Sequence, residues 1–111
     1  VSTETIDEFC AKNRLSHIHI LKLDVQGAEF SVLQGSSRLL SEQSVDIVYM
    51  EIITAPTYVG QRSLAEYLQL FSAQGYELFD LYNVHRKNFR MIQSDAIFVS
   101  SSFLRRYEDG G

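Results

Sequence analysis

Ile18-His19-Ile20-Leu21-Lys22-Leu23-Asp24-Val25-Gln26-Gly27-Ala28-Glu29-Phe30-Ser31-Val32-Leu33-Gln34-Gly35 is the stretch that decides the fold. Ile18, Ile20, Leu21 and Leu23 form an apolar β-favouring run, too short for a helix and too continuous for a strand with one wet face. It is predicted as a parallel strand, buried on both faces and ending at Asp24. Gly27 supplies a permissive turn, residues 28–34 are helix formers with Val32 and Leu33 inward, and Gly35 is placed for a left-handed cap. In open α/β sheets ligands sit beyond the carboxyl ends of parallel strands, where the next helix points its positive end. Asp24, Gln26 and Glu29 fall there. A plainer alternative has Asp24 and Gln26 capping the helix and Glu29 complementing its dipole.

The composition bounds what surrounds this unit. At 111 residues, 45% hydrophobic and 22% charged, the chain can build one core and is read as a single unit, residues 1–111. A net charge of -4 argues against general nucleic-acid binding, which needs a positive field. Cys10 is alone, so neither an internal disulfide nor a thiolate cluster is available, and a reducing, cytoplasmic setting is expected. No apolar run nears the roughly 20 residues that span a bilayer, so no membrane partner is expected. Val1 is not an initiator Met, which suggests a portion of something longer.

Upstream, Thr5-Ile6-Asp7-Glu8 has capping-box spacing and predicts a helix over Ile6–Lys12, with Cys10 a small buried hydrophobe. His17 and His19 alternate, so they share a face and could be two metal ligands. No third ligand is adjacent in sequence and this is the amino end of the strand, so both are expected as surface residues. Lys22 either pairs with a carboxylate across the sheet or snorkels to water.

Downstream, residues 36–43 read as a short helical piece. Residues 45–52 then repeat the first strand's design, an apolar run with an acid, Glu51, near its carboxyl end. Two strands joined by a helix make a right-handed βαβ unit, which would bring Asp24 and Glu51 to one edge of the sheet. Two acids there suit general-base work or a hard divalent cation. Residues 53–62 form a loop with Pro56, in which Tyr58 and Gln61 could touch a substrate. A second capping box, Ser63 to Glu66, opens a helix with a Leu64, Tyr67, Leu68, Phe71 stripe that Gly75 ends. Residues 76–82 and 96–99 are strands with no helix between them, hence an antiparallel hairpin. The intervening 83–90, with His85, Arg86, Lys87 and Arg90, reads as a polar loop, and residues 101–111 as a fraying end.

Leu21-Lys22-Leu23-Asp24-Val25-Gln26-Gly27-Ala28-Glu29, with Val32-Leu33-Gln34-Gly35 behind it, resembles the signature of the FkbM family of S-adenosylmethionine-dependent methyltransferases. Met50-Glu51-Ile52, Tyr58-Val59-Gly60-Gln61, Tyr76-Glu77-Leu78-Phe79-Asp80-Leu81-Tyr82 and Gln93-Ser94-Asp95-Ala96-Ile97-Phe98-Val99 follow in the order the resemblance requires. The resemblance implies an α/β fold: the carboxyl-terminal part of a Rossmann-like methyltransferase sheet, strands four to seven, with a closing antiparallel hairpin. It implies S-adenosylmethionine as cofactor and a small-molecule or sugar hydroxyl as acceptor. Asp24, Gln26 and Gly27 would lie beside the cofactor, Asp24 and Glu51 would be catalytic, and Glu29, Tyr58 and Gln61 would face the acceptor. Related methyltransferase families place a divalent cation between acids here. Asp24 and Glu51 could serve it, but two acids without an identifiable third ligand fall short of a site.

One departure from the family pattern stands out. The Gly-rich cofactor turn after the first strand is absent from these residues. The expected partner is therefore a missing amino-terminal half, or a second copy, along residues 18–24. A non-catalytic binding or assembly module that keeps part of the fold is the rival function. A flavodoxin-like nucleotide binder is disfavoured by the closing hairpin and by the lack of a phosphate-cradling loop.

Overall fold

A computed structural model of the chain describes residues 5–23, 29–54 and 62–110. Their elements run α1 (Ile6–Lys12), β1 (Ile18–Leu23), α2 (Glu29–Gln34), α3 (Ser37–Ser41), β2 (Val45–Ile53), α4 (Leu64–Ala73), β3 (Tyr76–Lys87), β4 (Arg90–Ser100) and α5 (Ser101–Gly110). The four strands form one sheet in the order β1-β2-β4-β3. β1 and β2 are parallel, with Ile18 opposite Val45 and Leu23 opposite Met50. β4 runs antiparallel to both of its neighbours and lies between β2 and β3. This mixed α/β arrangement is compatible with a methyltransferase-like fold.

Alternation in β2 shows how the sheet is covered. Val48, Met50 and Ile52 are fully buried, whereas Tyr49, Glu51 and Ile53 are half-buried. The buried set joins Cys10 of α1, Leu33 of α2, Leu39 and Leu40 of α3, and Tyr67 and Phe71 of α4 in one core. The Phe71 and Phe98 rings stack with centroids 4.0 Å apart, and Tyr76 meets Phe71 edge-on. Burying a side chain of this size contributes about 1.5–3 kcal/mol. The strand over Ile18–Leu23 was expected to be buried on both faces. Among the described residues it is an edge strand, and Ile20 is 62% exposed.

Helix starts follow the sequence signals closely. Thr5 Oγ1 accepts the Glu8 N–H at 3.0 Å, and Ser63 with Glu66 forms a reciprocal capping box. α3 differs, because its cap residue Ser36 makes no side-chain cap bond and instead donates to the Val32 carbonyl. The Asp7 carboxylate of α1 takes over, accepting the backbone N–H groups of Arg38 and Leu39 at 2.9 and 3.2 Å. This ties α1 to the βαβ unit. Gly35, expected in a left-handed cap, is not among the positive-φ glycines. A Cβ at Gly35 would lie 3.0 Å from the Thr5 Cβ, and its carbonyl accepts the Asp7 N–H. Its smallness serves the close approach of α1.

Two further expectations are corrected at the carboxyl-terminal side. Residues 83–90 are not a polar loop: β3 runs on to Lys87 and β4 begins at Arg90, joined by Asn88 and Phe89 at φ 51° and 69°. Left-handed φ at both central residues suits the right-handed twist of a tight hairpin, and side chains alternating across an exposed ribbon tolerate a charged sequence. Of the expected fraying end, 101–111, residues 101–110 are helical. They form α5, whose first turn is capped by Ser100 Oγ accepting the Phe103 N–H.

Gln43 joins three turns at this end of the sheet. Its own φ is 54°, and its Oε1 accepts Ser101 Oγ–H, Ser102 N–H and Ser102 Oγ–H at 3.0, 2.9 and 2.6 Å. Gly75, at φ 82°, ends α4 directly against the Gln43 side-chain amide. Gly75→Ala combines left-handed strain with displacement of Gln43, and is expected to cost about 1–3 kcal/mol in chemical denaturation. An unchanged denaturation midpoint would refute this joint.

Candidate functional site

The carboxyl ends of β1 and β2 lie side by side. Leu23 is the partner of Met50, so Glu51 is the next residue along this edge of β2. Glu51 is opposite Asp95 in β4, and its Oε2 accepts from Gln93 Nε2 at 3.3 Å. One strand further, Asp95 Oδ2 accepts the Tyr49 hydroxyl and the Asn83 amide, both at 2.7 Å. On the β1 side the Lys22 ammonium stands 5.7 Å from the Tyr49 ring centroid, a cation–π position. Lys22 thus meets an aromatic face across the sheet where a carboxylate pairing or simple snorkelling was expected.

These side chains make a polar strip across all four strands, leading to Glu51. The hydrogen bond to Asp95 is the main reason the Tyr49 phenol is raised above its ordinary 10.0, with burial and the Asp95 charge adding to it. Tyr49 is therefore a hydrogen-bond donor at neutral pH, and Glu51 is the strip's carboxylate nearest the β1 end. A carboxylate at a strand's carboxyl edge can orient or deprotonate a hydroxyl. Asp24, Gln26, Gly27, Tyr58 and Gln61 lie outside the described residues, as does the side chain of Glu29, which opens α2.

A second cluster lies at the opposite end. Ile18 pairs with Val45 and Ile20 with Ile47, which sets His19 beside Asp46. His17 Nε2 is 2.9 Å and His19 Nδ1 3.3 Å from Asp46 Oδ2, while Arg106 of α5 donates to Oδ1 at 2.7 Å. Asp46 is buried. Burial pushes its carboxyl upward, but hydrogen bonds from His17 and His19, the His17 charge and Arg106 together leave it below 3.8. The two histidines are exposed, as expected of surface residues, and they share one carboxylate. The missed signal was an acid one residue into an apolar strand; only the parallel register shows that it faces the histidines.

The amino-acid sequence matches the methyltransferase FkbM domain over residues 1–78. The chain belongs to the FkbM methyltransferase family. It is also 33% identical over 70 residues to the 2-O-methyltransferase NoeI of Sinorhizobium fredii (strain NBRC 101917 / NGR234), a match covering 63% of this chain and 28% of that protein. The matched stretch is thus little more than a quarter of that relative's length. No solved structure matches the chain. No helix among the described residues is long and apolar enough to cross a membrane.

The Tyr49–Asp95 pair gives a pH expectation. Because the folded-state value is raised, the pair's contribution is complete below the ordinary 10.0 and is lost as pH rises through the folded value. Asp95→Asn should bring Tyr49 ionisation down towards 10, read by phenolate absorbance during alkaline titration, with Tyr49→Phe identifying the transition. An unaltered titration curve in Asp95→Asn would rule out the pairing.

Proposed function

We propose that this chain is part of an S-adenosylmethionine-dependent O-methyltransferase that methylates a hydroxyl of a small molecule or sugar, and that the reaction takes place at the carboxyl edge of β1 and β2. The observation that carries the reading is the parallel register of Leu23 with Met50, which brings the carboxyl end of β1 and Glu51 to the same edge. Family membership supports methyl transfer, and the similarity to the 2-O-methyltransferase NoeI supports oxygen as the acceptor atom. In this reading β1 to β4 correspond to strands four to seven of a Rossmann-like sheet. The antiparallel β4 between β2 and β3 favours that correspondence, and the edge of β1 left unpaired among the described residues is where the first strand of the domain would pair.

The donor set at this edge fits such a cofactor. S-adenosylmethionine supplies a methyl group on a cationic sulfonium, and the Glu51 carboxylate places negative charge at this edge, while the Lys22 ammonium stands against the Tyr49 ring. Asp24, Gln26 and Gly27 would hold the cofactor. Asp24 and Glu51 would orient the acceptor hydroxyl and take its proton, and Glu29, Tyr58 and Gln61 would contact the rest of the acceptor. Gln93 and Asp95 keep Glu51 and Tyr49 in fixed positions through their hydrogen bonds.

In the full-length protein, Glu51→Gln and Asp24→Asn should each lower methyl transfer from labelled S-adenosylmethionine to a panel of glycosides and small alcohols by about 10²-fold or more, with little change in melting temperature. Calorimetry should show weakened cofactor binding in Asp24→Asn. Equal losses of rate and stability would favour helix capping as the role of Asp24. Undetectable cofactor binding by the full-length protein would favour a non-catalytic module.

A further inference from the structure

We propose that His17, His19 and Asp46 form a binding site for a divalent transition-metal ion of the zinc type, at the amino end of β1 and β2 and away from the methyl-transfer edge. Two histidine nitrogens and one carboxylate oxygen converge there, and the three donor atoms all lie within 4.8 Å of one another. Two imidazoles and a carboxylate are the ligand set of three-residue zinc sites, which leave a fourth position open. Ligands at about 2.0–2.2 Å on a tetrahedral ion stand roughly 3.3–3.5 Å apart. The separations from Asp46 Oδ2, 2.9 and 3.3 Å, lie close to that geometry, whereas the donor set spans up to 4.8 Å, so the two imidazoles would have to close on each other by about 1 Å. His19 can supply the adjustment, since its side chain is 87% exposed and its ring can turn without repacking the core.

The strand geometry explains why the three are held together. His17 and His19 are two residues apart and so project on the same side, and the parallel register sets Asp46 beside His19. Asp46 is anchored from behind: Arg106 occupies Oδ1, leaving Oδ2 directed at the imidazoles. A ligating carboxylate with its other oxygen bonded is the usual outer arrangement of a metal site, since it fixes the orientation of the ligand. In the metal-free state both imidazoles donate to one oxygen. An ion would take the place of these hydrogen bonds at His17 Nε2 and His19 Nδ1, each neutral imidazole then carrying its proton on the other ring nitrogen. The open side faces a hollow of about 380 Å³ that Phe103 and Tyr107 of α5 complete. The existing charges, one carboxylate and one guanidinium, cancel. With two neutral imidazoles the bound ion leaves net positive charge, so the fourth position suits water, hydroxide or another anionic ligand.

Ligand chemistry decides the class of ion. Two nitrogens and one oxygen suit zinc, nickel or copper, whereas magnesium and calcium require oxygen-rich sets. The test uses the full chain freed of metal by chelator and titrated with Zn2+ in a calorimeter, with Co2+ as a visible probe of tetrahedral coordination. One equivalent of Zn2+ should bind, and excess Mg2+ should not compete. His17→Gln and His19→Gln should each weaken binding at least about 10-fold, the double variant should abolish it, and Co2+ absorption should disappear in parallel. Asp46→Asn removes a buried partner of three side chains and can unfold the chain, so the exposed His19→Gln variant is the decisive one, with circular dichroism confirming its fold. No saturable Zn2+ binding by the wild type, or equal affinity in the His17→Gln/His19→Gln variant, would overturn the proposal and leave the cluster as a clamp for α5.

Discussion

Insertion of β4 between β2 and β3 is the constraint on which the rest of the structure depends. β2 has one neighbour in β1 and needs another for its remaining backbone donors and acceptors, since unpaired groups in a buried strand are costly. β4 supplies it along seven residue pairs from Ile47–Val99 to Ile53–Gln93. The same strand delivers Phe98 to stack on Phe71, Asp95 to hold Tyr49, and Gln93 to hold Glu51. At its far end, Ser100 starts α5, which carries Arg106 to Asp46. Both polar sites therefore depend on one strand pairing.

β2 in turn divides the molecule into two chemically distinct ends. Its carboxyl end presents Glu51 beside the end of β1, where loops diverge and a ligand can approach. Its amino end presents Asp46, buried and surrounded by His17, His19 and Arg106. An unpaired buried carboxylate would be driven to protonate, so Arg106 and the hydrogen bonds from His17 and His19 are what keep Asp46 ionised, and the Arg106 pair ties α5 to the sheet. The alternation between these ends, with Val48 and Met50 buried between them, gives a stiff spacer from which each site takes its position.

Much of this was legible from local signals. The capping residues Thr5, Ser63 and Glu66, the βαβ unit, the turn at Gly75 and the closing hairpin follow from short-range chemistry that the sequence states directly. Long-range pairing was harder to see. The function of Gly35 depends on Thr5, thirty positions away in sequence, and the capping of α3 depends on Asp7 rather than on its own cap residue. The charged run through Lys87 reads as a loop because local composition cannot show that β4 waits to pair with it. The edge acid Glu51 was visible as an acid ending an apolar run. Its ties to Gln93, and the Tyr49–Asp95 pair beside it, were not, because an antiparallel register between distant segments creates them. His17 and His19 were noticed as a pair, but their third member sits on another strand.

Strand order is tested most directly by nuclear Overhauser effects in isotope-labelled protein. Antiparallel neighbours alternate between hydrogen-bonded pairs and closer non-hydrogen-bonded pairs, so one of the adjacent pairs Met50–Ala96 and Glu51–Asp95 must bring its two Hα atoms together. The account predicts a strong Hα–Hα effect at one of these pairs, a matching series between β4 and β3, and none between β2 and β3. Strong effects connecting β2 directly to β3, with β4 at the edge, would contradict it.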